Sequence, residues 1–284
     1  MTEQPADIDL DLDRASTSPD TGDPPPPNRP PMLLWAGAGV LLLALAGAYV
    51  FLWRAPAPAP VAATKPAEPP AMRGEPGDQI TLPPLDETDV LVRQLVEKLS
   101  SHPMVAAWLT TDGLILNFVL VTSRIADGVT PVAELKKVGP VPRFTIKTAA
   151  DIPYIDRSSY RRYDRHTEAV SKLDARGAAR LYGTLKPRIV EAYGRLGPSD
   201  EDFDRVLERA IFELLSVPFV EGEVALEPQG IVYGFADPRL QTMSAAQKQL
   251  FRMGPQNVLL VQGKLRDIAF HLGIPETRLP PARK

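Results

Sequence analysis

The spacing of hydrophobic and polar positions divides the chain into stretches of different rhythm. From Met32 to Trp53, MLLWAGAGVLLLALAGAYVFLW, 22 consecutive residues carry no charge. A helix of that length is about 33 Å long, enough to cross the roughly 30 Å hydrocarbon core of a bilayer. Its apolar residues lie all round and not on one stripe, which suits lipid and does not suit a surface helix. Trp35 near one end, and Tyr49 and Trp53 near the other, favour the headgroup level, and Arg54 can hydrate its charge there. The pattern predicts a transmembrane helix over residues 32–53. A cleaved secretory signal would carry a shorter apolar region, about 7–15 residues, behind a basic start. Small-residue sites that a signal peptidase could use do follow, at Ala55-Pro56-Ala57 and Val61-Ala62-Ala63. Ala44 and Ala48 have the spacing of a close helix contact, but nothing further indicates a homo-oligomer.

After residue 82 the period becomes that of amphipathic helices. Asp86 is placed to cap a helix with Leu91, Val92, Leu95, Val96 and Leu99 on one face. Pro103 opens a short helix carrying Met104, Ala107 and Trp108. Thr111 or Asp112 would cap a third over 113–126, ended by Gly128. This third helix is apolar over Leu114–Val121, which reads as a buried helix or as an exposed contact face. Residues 129–156 read as irregular, with a strand-like alternation over 143–147. Ser159 would cap a helix with Tyr160, Tyr163, Thr167, Val170 and Leu173 inward. Another helix follows Asp174 and contains Pro187, which predicts a kink. Ser199 would cap a helix with Phe203, Val206, Leu207, Ala210, Ile211 and Leu214 on one stripe. Two short strands are expected over 223–235, turning near Gly230. Ser244 and Gln247 form a capping box, and Gly254-Pro255 ends one helix and starts the next. The fold class is therefore mainly α: one N-terminal transmembrane helix, then a helical soluble domain with one or two short β-hairpin-like strand pairs.

Composition sets the boundaries. Residues 1–31 hold seven acidic and two basic residues and a proline run, too little apolar surface to fold alone. Residues 54–81 are rich in Ala and Pro, a spacer of extended polyproline type. The soluble domain is expected over 82–273, with a frayed C-terminus at 274–284. Lys and Arg counts on the two sides of the span are equal, so they do not orient it. A short tail needs no translocation, and this places the N-terminus inside and the domain outside.

The chain has no cysteine, which removes disulfides, thiol catalysis and cysteine metal sites. Residues 81–284 are close to neutral, with 27 basic and 25 acidic residues, unlike a nucleic-acid binder. His102, His166 and His271 lie far apart, and no metal-helix spacing, phosphate loop or nucleophile elbow is present. No catalytic residue, metal ligand or cofactor is assigned. The densest polar cluster is Arg157, Tyr160, Arg161, Arg162, Tyr163, Asp164, Arg165, His166 and Glu168. Its arginines and tyrosines make Arg157, Arg161, Arg162, Arg165, Tyr160, Tyr163 and His166 a candidate binding patch for an anion or carbohydrate. The same residues read more simply as a helix with tyrosines inside and arginines paired outside, Arg161 to Asp164 and Arg165 to Glu168.

Four segments, LPPLDETDVLVRQLVEKLSSHPMVAAWL, SYRRYDRH, GAARLYGTLKPRIVEAYGRLG and FADPRLQTMSAAQKQLFRMGP, resemble an uncharacterised bacterial membrane-anchored family, domain of unknown function 3014. The resemblance covers roughly residues 82–273, and its most specific part is Arg252-Met253-Gly254-Pro255. It implies a single-pass protein of the inner membrane with its domain in the periplasm, and it brings no activity. The expected role is a non-enzymatic interaction or scaffold module whose partner is an envelope protein or an anionic glycan. The alternative is an envelope enzyme resembling a cell-wall hydrolase, with a site assembled in space.

Overall fold

Local capping signals and long-range contacts share the work of starting the helices. The structure, a computed structural model, describes residue 72 and residues 74–141, 143–197, 199–230 and 232–282. The expected tail 1–31, the transmembrane segment 32–53 and the linker up to residue 71 lie outside the described residues. Among the described residues no single helix is long and apolar enough to cross a membrane.

The first three helices are α1 (Asp89–Glu97), α2 (Pro103–Leu109) and α3 (Leu114–Ala126). Asp86 does not cap α1. It lies 2.6 Å from Arg195 Nη1, and Thr88 takes the cap position with its hydroxyl donating to Leu85 O. Neither Thr111 nor Asp112 caps α3. Gly113 N and Leu114 N both donate at 2.8 Å to the Asp89 carboxylate of α1. A charged acceptor brought from another helix thus satisfies orphan donors at the positive end of α3. Leu114, Ile115 and Val119 are buried and Leu116 and Phe118 partly so, so α3 is a core helix and not an exposed contact face.

The region 129–156 contains a hairpin in place of a lone strand. Strand β1 (Ile146–Ala149) pairs antiparallel with β2 (Ile152–Ile155), Ile146 opposite Ile155. The turn places Ala150 at φ 48° and Asp151 at φ 62°, the left-handed region that a tight hairpin turn demands. Helices α4 (Arg157–Arg161) and α5 (Asp164–Ser171) follow, where one continuous helix was expected. The long helix α6 (Ala175–Arg195) starts at the predicted Asp174 cap, continues past Pro187, and is followed by α7 (Phe203–Leu215). Asp202, not Ser199, caps α7. At its other end buried Gln262 donates to Leu214, Leu215 and Val217 carbonyls.

A second antiparallel hairpin, β3 (Leu226–Gln229) and β4 (Val232–Phe235), turns at Gly230. Short α8 (Pro238–Gln241), then α9 (Ala245–Phe251) and α10 (Pro255–His271) complete the element order. The Ser244–Gln247 capping box forms as the sequence predicts. Three apolar clusters hold these elements. One joins α1, α3, α6 and α7 through Val92, Val119, Ile189 and Phe203. A second joins the hairpins to α9 and α10 through Ile155, Leu226, Phe235, Phe251 and Val258. The third joins α6, α7 and α10 to the C-terminal segment through Ile211, Ala269, Ile274 and Leu279.

Both expected margins of the domain are packed against it. Residues 274–282 are not frayed: Ile274 and Leu279 are buried, Arg278 pairs with Glu208 at 3.2 Å, and Arg266 donates to Pro280 O. At the other margin, the last part of the expected linker crosses α6. Glu75 N donates to His271 O, Glu75 pairs with Arg176 at 3.0 Å, and Asp78 N donates to Thr184 Oγ1. A Cβ on Gly77 would lie 2.2 Å from Thr184 N, and one on Gly183 would lie 2.9 Å from Gly77 N. Two glycines permit this backbone approach. It occurs at Gly183, the residue whose carbonyl Pro187 cannot serve as donor.

Candidate functional site: a cleft between the two hairpins

The expected patch separates into an inner and an outer set because the helix breaks in its middle. Asp156, not Ser159, caps α4, its Oδ1 accepting from Ser158 N at 2.7 Å. Ser159 is buried instead and ties the segment to Thr145, whose N donates to its Oγ and whose O accepts from it, both at 2.7 Å. The chain leaves the helix at Arg162 and Tyr163 and re-enters it at Asp164.

Arg157, Arg161 and Arg165 are exposed. The Arg161–Asp164 and Arg165–Glu168 pairs do not form: Asp164 accepts from Asn257, and Glu168 contacts Lys172 and His102. Those contacts, the Lys172 hydrogen bond first, hold the Glu168 carboxyl below its usual range. Arg165 and Glu168 line a separate groove of about 590 Å³ with His102, Met104 and Lys172.

The inner set is Tyr160, Arg162, Tyr163 and His166. Tyr163 is buried, and its hydroxyl accepts from Gln249 Nε2 at 2.9 Å and Arg162 Nη2 at 3.1 Å. Burial raises the pKa of the half-buried Tyr160 phenol. His166 Nε2 lies 2.5 Å from Val138 O. A carbonyl only accepts, so Nε2 carries the proton. Nδ1 is buried with no hydrogen-bond partner among the described residues. His166 is therefore a packed histidine tied to Val138 in this arrangement and not one presented to substrate.

The segment 249–257 meets this inner set face to face. Gly254 has φ 86°, and a Cβ there would lie 2.5 Å from Tyr160 Cγ. Only glycine fits both the backbone angle and the ring. Buried Asn257 donates from Nδ2 to Tyr160 O at 3.3 Å, Asp164 Oδ1 at 3.0 Å and Met253 O at 2.9 Å. The two sequence segments SYRRYDRH and QLFRMGP thus form one structural unit.

That unit sends Arg162 and Arg252 into a cleft of about 400 Å³, whose other lining residues are Phe144, Ile155, Leu226, Val232, Tyr233 and Phe235. The hairpins form its walls. They are joined by an antiparallel bridge between Tyr154 and Ala225 and by Ile155 N donating to Val224 O at 3.0 Å. Arg162 Cζ stands 5.5 Å from the Phe144 ring centroid and 4.8 Å from that of Tyr163. Arg252 Cζ stands 5.6 Å from the Phe235 centroid. Burial lowers the pKa of Arg252, and the like charge of Arg162 adds in the same direction. A guanidinium nevertheless stays protonated at neutral pH. The cleft can therefore attract an anion.

No carboxylate, histidine or aliphatic hydroxyl is among the described lining residues. Nor do the described residues include a group of three or more His, Asp or Glu placed to hold a metal. Arg252, Phe144 and Phe235 were not assigned to a site from sequence. The available signal was Arg252-Met253-Gly254-Pro255, read there for its helix junction and not for its arginine.

Comparison with known families finds one model, described as Protein of unknown function (DUF3014), that matches residues 114–269. The matched span includes every described residue lining the cleft. No curated protein and no solved structure matches the chain.

Proposed function

We propose that this chain, which belongs to the DUF3014 family, is a non-enzymatic interaction module that binds its partner in the cleft between the hairpins. The observation that carries the reading is the chemistry of that cleft. Its charged groups are two guanidiniums set against aromatic rings, with apolar walls. Such a surface recognises and orients, and its described lining holds no carboxylate, histidine or aliphatic hydroxyl for hydrolysis to use. The wider setting belongs to the same proposal. The apolar run 32–53 anchors the protein in the inner membrane with its N-terminus inside. The Ala/Pro spacer then carries the domain into the periplasm, towards an envelope partner.

The test is site-directed photocrosslinking in cells. A benzoylphenylalanine placed at Val232, an exposed cleft residue, should give a discrete covalent adduct. Absence of any adduct from this position, together with hydrolysis of isolated cell-wall material by the purified full chain, would establish the enzyme alternative instead. A reporter active only outside the cytoplasm should work when fused after Lys284 and fail after Thr2. The opposite result reverses the orientation.

A further inference from the structure

We infer that the cleft receives an extended segment of a partner protein, which pairs its backbone with the free edge of β4 at Tyr233 and sets an acidic side chain towards Arg252. The inference rests on the interaction reading of the same cleft and names what the partner presents there.

The free edge follows from the register of the second hairpin. In an antiparallel pair, facing residues alternate between those that exchange hydrogen bonds and those that do not. Ala236 N donates to Ala225 O at 3.1 Å, so Glu227–Gly234 and Gln229–Val232 are the bonded pairs. Tyr233 and Phe235 therefore turn their backbone groups away from β3. Phe235 N donates to Gln241 Oε1 of α8 at 2.9 Å. Tyr233 N and O meet no partner among the described residues. An unpaired edge of this kind is a template for one more strand. Val232 is 58% and Tyr233 39% exposed, so this end of β4 stays open. Strand β1, the other outer strand, contributes no residue to the described cleft lining.

The acidic character follows from Arg252. Its side chain makes no hydrogen bond or ion pair among the described residues, and burial already disfavours its charge. Arg162 differs: its Nη2 donates to the Tyr163 hydroxyl, and no contact with the ligand is assigned to it. It adds positive potential to a cleft in which no described lining residue is acidic. A half-buried cation so placed is complemented by an anion that the partner brings.

The two observations meet in one geometry. Directly opposed residues of an antiparallel pair carry their side chains on the same face of the sheet. Tyr233, Phe235 and Arg252 line the same cleft. A partner residue opposite Tyr233 therefore bonds it through both backbone groups and points its own side chain along the cleft face, where Arg252 lies. The partner residues two before and two after share that face, whose remaining lining is apolar or aromatic.

The probe is N-acetyl-Val-Thr-Glu-Thr-Val amide, which has no terminal charge, presented to the full chain in lipid nanodiscs. Binding is read by saturation-transfer NMR on the valine methyl protons. It should bind at least tenfold more tightly than the same peptide with Gln in place of Glu. Arg252→Gln should remove that preference. A methyl group on the Glu backbone nitrogen should weaken binding at least tenfold. A methyl group on the backbone nitrogen of the second Thr, which faces away from β4, should leave it unchanged. Arg161→Gln and Arg165→Gln should also leave binding unchanged.

Absence of binding, or equal binding of the Glu and Gln peptides, overturns the acidic segment. A Glu preference that survives Arg252→Gln overturns the role of Arg252. Equal effects of the two methyl groups overturn the pairing with β4. If the adduct at position 232 still forms in any of these cases, the interaction reading stands without this ligand; if it does not form, both fall.

Discussion

The Tyr182 hydroxyl donates to Asp204 Oδ1 at 2.6 Å across the α6–α7 interface. The second Asp204 oxygen lies 2.6 Å from Lys186 Nζ. Asp204 is 2% exposed, a charge that α7 carries into the core because α6 supplies both partners. Removing the acid leaves the Tyr182 phenol unpaired and takes two hydrogen bonds from the interface, while Lys186, 36% exposed, can still meet water. Asp204→Ala should therefore cost more than the loss of either bond alone, about 2–4 kcal/mol. Tyr182→Phe leaves one carboxylate oxygen without its donor and should cost about 1–3 kcal/mol. Urea unfolding of the two variants checks the order.

The same pair makes stability depend on alkaline pH. Burial first, and the Asp204 contact second, raise the Tyr182 pKa well above its ordinary value of 10.0. A phenol with a raised pKa binds its proton more tightly in the folded chain. Its contribution is whole below pH 10 and is lost progressively above it, because the unfolded chain ionises first. The slope from this one group is at most about 1.4 kcal/mol per pH unit. Urea midpoints at pH 9, 10 and 11 should fall more steeply for wild type than for Tyr182→Phe. Equal slopes would remove Tyr182 from the account.

The crossing of residues 74–78 over α6 should fail when either glycine gains a side chain. Gly183→Ala improves helix propensity by about 1 kcal/mol, yet its Cβ meets Gly77 N at 2.9 Å. We expect a folded domain whose residues 74–80 become readily cleaved by protease. Gly77→Ala should do the same, since the obstruction is backbone and cannot swing away. Wild-type resistance to cleavage in both variants would show that the segment does not depend on this contact.

Gly254 and Tyr160 should behave as a lock between the two parts of the site unit. Gly254→Ala combines a strained φ of 86° with a ring contact of 2.5 Å and should lower stability by more than the 1–3 kcal/mol typical of overpacking alone. Tyr160→Ala should cost about 3 kcal/mol as a large truncation. The double variant should cost less than the two single costs added together, because removing the ring relieves the clash. Thermal or urea unfolding of the three proteins measures that coupling.

Legibility in the sequence followed the range of each interaction. Asp174, and Ser244 with Gln247, cap helices through neighbours two or three residues away, so pattern alone located them. The start of α3 was placed correctly but its cap was not, because the acceptor is Asp89, 24 residues earlier. The C-terminal segment looked frayed because Ile274 and Leu279 are isolated apolar residues with no period. Their burial against Ala179 and Ala269 is purely tertiary. Within the arginine-rich segment the tyrosine spacing correctly pointed Tyr163 inward. A continuous helix could not distinguish Arg162 from Arg161 and Arg165. The break before Asp164 makes that distinction, and Arg252 joins Arg162 only once α9 packs beside the hairpins.

The central claim is that the inner arginines serve binding and the outer ones do not. The measurement that tests it most directly is crosslinking from position 232 in Arg252→Gln, compared with Arg161→Gln and Arg165→Gln, with thermal melts of each. Losing the Arg252 contact with Phe235 costs about 0.5–1 kcal/mol, a melting shift of less than about 4 °C for a domain of this size. The account predicts that Arg252→Gln abolishes the adduct within that shift while the two outer variants keep both adduct and melting temperature. An adduct that survives Arg252→Gln, or that disappears with Arg161→Gln or Arg165→Gln in a stable protein, would contradict it.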